Sequence, residues 1–237
     1  MTHPKDWKVA PFASVGTDEA FVREILEVED ILQGPLIEGS QRELAKSAIM
    51  TILMDGLVPA LMELRAIRAP ETAMLPLTER FQPYEDFARK LWKAYKDLTQ
   101  RAAEAMGFDI GFLYQKDTKF DEGLKKFRSD WPALQPGVEE FLRQTRNDWQ
   151  NEFSTFRNSF VEHQQAERKD FKKFYDNGVV EKLFESAWET IIDILVILMS
   201  LKLPLGVRLV VNDPKVHGPW PNRFRWVIED FGRPTTS

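Results

Sequence analysis

Arg157, Asn158 and His163 bring together, within seven positions, three residue types that handle phosphates and protons. An imidazole with an ordinary pKa of about 6.5 takes up and returns a proton at neutral pH. A guanidinium stays charged and binds a phosphate through two parallel hydrogen bonds. The pair suffices for metal-free RNA cleavage. His163 would deprotonate a ribose 2′-hydroxyl, and Arg157 would offset the charge developing on the attacked phosphate. The other histidines, His3 and His217, fall in segments that read as irregular. On a straight helix the six steps from Arg157 to His163 turn about 600°, which leaves the two about 120° apart. A shared cleft therefore calls for a long arginine reach, a helix distortion or a partner protomer.

The segment Arg157-Asn158…His163 resembles the HEPN superfamily (higher eukaryote and prokaryote nucleotide-binding). These are all-helical proteins in which an Arg, a following polar residue and a His four to six intervening residues later form the motif. Here five residues intervene, and Asn158 is the first of them. The resemblance implies a metal-independent endoribonuclease or a catalytically silent relative, in a defence or toxin–antitoxin setting. It also implies a homodimer in which two motifs form one cleft, with Arg157 and His163 catalytic and Asn158 supporting them. It covers the helices from 138 to 203. The same residues have a structural reading, with His163 a buried, hydrogen-bonded histidine and Arg157 paired to an acidic neighbour. The rival function is a non-enzymatic helical interaction or scaffold protein.

Just beyond the motif, Arg168, Lys169, Lys172 and Lys173 alternate with Phe171, Phe174 and Tyr175. Bases with aromatics would grip a nucleic-acid backbone and stack its bases; the other reading is a helix end with cations at its negative terminus. Glu181, Glu185, Glu189 and Asp193 recur every four residues. Such a row would suit a hard cation, but no Glu-x-x-His accompanies it, and a solvated face or one paired with a basic helix is the expected role. No metal and no cofactor is assigned. Trp149, Phe153, Phe156 and Phe160 form a stripe expected in a core or dimer interface. Gly-rich phosphate loops, nucleophile elbows and zinc spacings are absent.

The elements that must carry these residues read as helices. From Thr17, a helix bears Phe21, Ile25, Val28 and Leu32 and stops at Gly34-Pro35. Ser40-Gln-Arg-Glu43 matches a capping box, and Leu44, Ala48 and Ile52 with Ala45, Ile49 and Leu53 supply an apolar face until Gly56 and Pro59 break or kink it. A loop of about ten residues follows, marked by Pro70 and Pro76. Residues 84–106 carry Phe87, Leu91, Tyr95, Leu98, Ala102 and Ala105, closed by Gly107 as C-cap. A short helix is expected near Phe120–Phe127, a long one from Val138 to about Tyr175, and another over Val179–Leu203. Val207–Val211 and Arg223–Ile228 suggest a terminal β-hairpin. The expectation is thus a mainly α bundle of about six or seven helices in one domain, residues 1–237: a lead-in over 1–16, a HEPN-like helix pair over 138–203, and a hairpin and tail over 204–237.

Composition bounds this reading. Apolar residues at 43% and charged residues at 29% are ordinary for a folded chain. The absence of cysteine removes disulfides and thiol chemistry and fits a reducing cytosol. No secretory leader is apparent at Met1, and the most apolar stretch noted, Ile191–Met199, is too short to span a bilayer. A cytoplasmic protein without membrane association is expected, with RNA or a protein as partner. The net charge is −5, while residues 18–43 hold eight carboxylates against Arg23 and Arg42, so the rest of the chain is close to +1. That balance leaves room for a local basic surface in the middle of the chain, but global electrostatics favours neither it nor an open nucleic-acid platform.

Overall fold

The structure, a computed structural model, describes residues 39–115, 117–132, 134, 136–162, 178–202, 207–211 and 224–228. Among them the chain is mainly helical and forms a bundle. Helix α1 runs unbroken over Gly39–Arg68. It is followed by the short α2 (Pro70–Met74), by α3 over 77–105, and by a 3-10 turn at Gly111–Tyr114. Then come α4 (Asp117–Asp130), α5 over 136–162 and α6 (Val179–Ser200). Two extended segments, Val207–Val211 and Phe224–Ile228, lie beyond α6.

Prolines start helices here more often than they stop them. Pro70 opens α2 and Pro76 precedes α3, because a first-turn residue has no intrahelical N–H bond to lose. The expected ten-residue loop is therefore mostly helical. Pro83 sits inside α3, at the cost of one hydrogen bond in its second turn. Arg80 ties the two helices, donating from Nε to the Leu75 carbonyl at 2.7 Å and from its other guanidinium end to that of Ala73. Gly107 terminates α3 as expected, with φ at +84°.

Gly56 and Pro59 do not end α1. The helix widens instead into a π-helical stretch at Ile52–Leu57, and Val58 N–H reaches back to the Leu53 carbonyl. Widening upstream of Pro59 relieves the clash that its ring would make with the carbonyl four residues earlier. Ser40 already lies within the helix, so the expected capping box is not the start seen. The inner face is Ala45, Ala48, Ile49, Ile52 and Leu53, all buried, whereas Leu44, assigned to that face by its spacing, is 62% exposed. Met54 and Met62 continue the exposed side. α1 is long and apolar enough to cross a membrane by length and composition, and 44% of its most apolar window is buried within the bundle.

One continuous core runs from Ala45 to Met199. Its centre is an antiparallel aromatic seam between α3 and α5. Tyr84 stacks on Phe160 at 5.0 Å, Phe87 meets Phe156 edge-on at 5.8 Å, and Tyr95 meets Trp149 edge-on at 5.2 Å. The α5 stripe is therefore core of the protomer. α6 is apolar almost all round and packs against α1, α3 and α5. A bidentate ion pair from Arg68 to Glu181 joins the end of α1 to the start of α6. Between α4 and α5, Arg143 binds Asp121 at 2.5 Å, Arg146 binds Asp117 at 2.5 Å and Arg128 binds Glu139 at 2.9 Å. The hydrogen bond that Arg143 donates to Asp121 leads in holding its guanidinium more firmly protonated than usual.

Candidate functional site

Arg157 is the last residue of an α-helical run, Asn151–Arg157, and Asn158 opens a π-helical turn over Asn158–Glu162. A π-helical turn thus fills the positions between Arg157 and residue 163. The hydroxyls along this run bond backwards into the helix: Thr155 donates to the Asn151 carbonyl at 3.0 Å and Ser159 to that of Thr155 at 3.1 Å. Such back-bonding competes with the regular ladder and favours bending. Similar π stretches occur at Ile52–Leu57, Leu98–Ala102 and Arg146–Gln150, so the distortion is not confined to the motif.

Packing divides the motif helix into two sides. Phe156 and Phe160 are fully buried in the α3–α5 seam, while Arg157 and Asn158 are half-buried on the flank. The Arg157 guanidinium lies over the indole of Trp92, with Cζ 4.8 Å from the ring. Phe153, one turn before Arg157, stacks on the same indole at 6.2 Å with 24° between the planes. Tyr114 meets it edge-on at 6.2 Å, and Gln100 donates to the Tyr114 hydroxyl at 2.7 Å. Behind this group Tyr95 is enclosed. Burial pushes its hydroxyl pKa well above the ordinary value, partly offset by the hydrogen bond it accepts from Gln150.

Of the sequence-predicted residues, the structure describes Arg157 and Asn158, side by side on α5. His163 lies outside the described residues, as do Arg168, Lys169, Lys172 and Lys173. The acidic row on α6 is divided: Glu181 pairs with Arg68, Glu185 is exposed and Asp193 is buried. No three potential metal-ligating side chains come together among the described residues.

Trp92 is the neighbour that sequence reasoning missed. It stands one place off the Leu91–Tyr95 stripe, between Lys90 and Lys93. A large aromatic on the polar side of an amphipathic helix was the available signal. No family model, no curated protein and no solved structure matches the chain.

Proposed function

We propose that this protein is a HEPN-like, metal-independent endoribonuclease, or a catalytically silent relative, that works as a homodimer. Arg157 and His163 carry the chemistry and Asn158 supports them. The observation that carries the reading is the setting of Arg157-Asn158. A cation sits half-buried on the flank of a mainly helical bundle, at the point where its helix opens into a π turn. Breaks of this kind are frequent at functional sites.

In the reaction, the 2′-oxygen attacks the adjacent phosphorus as His163 takes its proton. The bond from phosphorus to the 5′-oxygen breaks and that oxygen takes up a proton from solvent, leaving a 2′,3′-cyclic phosphate and a 5′-hydroxyl, while His163 returns its proton to solvent. Arg157 stabilises the extra negative charge on the non-bridging oxygens. The basic run Arg168, Lys169, Lys172 and Lys173 contributes backbone contacts. The C-terminal hairpin belongs to the same reading, supported by the antiparallel register from Val207↔Ile228 to Val211↔Phe224.

The test is cleavage of a mixed-sequence RNA by the purified chain with EDTA present, beside H163A. EDTA-resistant cutting that leaves cyclic phosphate ends and disappears in H163A is expected; equal cutting by H163A refutes the assignment. A second reading, a non-enzymatic interaction protein, is favoured by the exposed apolar side chains Leu44, Met54 and Met62 along α1. It predicts no cutting by well-folded protein and capture of a stable partner that is lost on changing Met54 and Met62 to charged residues.

A further inference from the structure

The C-terminal end of α3 is closed by a left-handed glycine and two hydrogen bonds. Gly107 has φ at +84°; its N–H donates to the Glu104 carbonyl at 2.8 Å, and the Phe108 N–H donates to that of Ala103 at 2.8 Å. This is the Schellman arrangement. It sets Phe108 just beyond the helix, buried with its ring 6.4 Å from Phe127 of α4 and 4.6 Å from Trp131. Trp131 follows the last residue of α4, and its N–H donates to the Phe127 carbonyl at 3.0 Å. Lys202 closes α6, its backbone N–H donating to the Met199 carbonyl at 2.9 Å. The Lys202 ammonium lies 5.0 Å from the Phe108 ring centre and 5.2 Å from that of Trp131. A Cβ at Gly107 would stand 3.4 Å from the same Nζ. One cation thus lies against the ends of three helices.

Charge, more than bulk, accounts for this arrangement. Among the described residues Lys202 makes no ion pair, so no carboxylate there neutralises it. Two ring faces attract the ammonium through their quadrupoles. The carbonyl ends of α3 and α6 carry partial negative charge, which favours a cation here over a neutral group. Lys202 is half-buried, so water screens these contacts only in part. Acylation keeps the length of a lysine side chain and cancels its charge, whereas methylation keeps the charge.

We propose that Lys202 is a charge-dependent latch, and therefore an acylation-sensitive site, that holds the C-terminal ends of α3, α4 and α6 together. Phe108 and Trp131 grip the ammonium, and Gly107 leaves room for it. The latch fixes the end of α6 shortly before the extended segment Val207–Val211. In the modifying step the amine, having shed one proton to solvent, attacks the carbonyl carbon of an acyl thioester. The C–N bond forms, the C–S bond breaks, and the sulfur leaves as a thiol with the second proton of the nitrogen. The resulting amide is neutral and no longer attracted to the ring faces. Losing two cation–π contacts at a half-buried site makes these helix ends open roughly 5- to 30-fold more often.

The test is amide hydrogen exchange on the full chain, comparing wild type with K202R, K202M and protein carrying Nε-acetyl-lysine installed at position 202. The acetylated protein and K202M should exchange the amides of Phe108, Trp131 and Lys202 faster by about the factor above. K202R, which keeps a cation over the rings, should stay within about twofold of wild type. In a W131L background K202M should add much less than it does alone. Acceleration confined to the Lys202 amide overturns the proposal, since the ammonium would then serve α6 only. Equal acceleration in K202R and K202M overturns it too, because shape and not charge would be what matters, and so does unchanged exchange in the acetylated protein. The Lys202 series decides the matter even if W131L fails to fold.

Discussion

Gly56→Ala places two opposing effects in direct competition. Removing a helical glycine favours the fold by about 0.5–1 kcal/mol through backbone entropy and propensity. Against this, a Cβ at position 56 would stand 2.5 Å from the Ala94 Cβ, 2.9 Å from its Cα and 3.1 Å from its N. Two of those three atoms are backbone of α3, so no rotamer change relieves the contact and the two helices must separate. Overpacking of this kind costs about 1–3 kcal/mol, and the geometry puts Gly56 toward the upper end. The net loss is about 1–2 kcal/mol, or a Tm lowered by ~2–8 °C for a chain of this size. Differential scanning calorimetry measures it directly, with Gly111→Ala as control. A Cβ at 111 meets nothing closer than 3.6 Å, and that variant should melt within about 2 °C of wild type. In the G56A/A94G double variant part of the loss should return, because one of the three clashing atoms is gone. A G56A protein that melts at or above the wild-type temperature would refute the close α1–α3 packing inferred at this position.

Three further outcomes follow from the packing. Phe156→Ala, which empties a fully buried position in the α3–α5 seam, should cost about 3–5 kcal/mol in urea unfolding; a loss under about 1 kcal/mol would contradict its burial. The Tyr95 hydroxyl has its pKa raised by burial, so the folded state keeps a proton that the unfolded chain loses above pH ~10. Stability is therefore whole below that pH and falls above it. Between pH 9 and 11 the urea midpoint of wild type should drop faster than that of Tyr95→Phe, and parallel slopes would count against the enclosed hydroxyl. Arg68 and Glu181, both about one-third exposed, should show a coupling of only about 0.5–1 kcal/mol in a double-mutant cycle, weakening with salt; a salt-insensitive coupling would point to a role other than the ion pair.

Much of the fold was legible because the hydrophobic spacing was long and strong. The stripes Phe87–Leu91–Tyr95–Leu98 and Trp149–Phe153–Phe156–Phe160 specified two helices and their inner faces, and both stripes are buried against each other. Gly107 marked a C-cap because a left-handed residue is needed there. Leu44 is the exception on α1: Ala48 and Ile52 of its own stripe are buried beside Ala45, Ile49 and Leu53, and spacing alone does not fix which edge of so wide a face is covered. Gly56, Pro59 and Pro76 read as breaks, yet π widening and placement at a helix start absorb them. Those π stretches have no sequence signature in this chain. At the candidate site, residue chemistry singled out Arg157 and Asn158 for test but gave no hint of Trp92, since no pattern along α3 records that α5 would lay Phe153 and Arg157 on its ring.

The ribonuclease proposal requires that a ribose 2′-oxygen, activated at this site, attacks the neighbouring phosphorus. It is tested most directly with a labelled RNA oligomer and a matched oligomer carrying a 2′-deoxy sugar at the mapped cleavage position, both incubated with the purified full chain in EDTA. Cutting of the first, with a 2′,3′-cyclic phosphate end, and none of the second at that position is the expected result. Equal cutting of both oligomers at that site would contradict it.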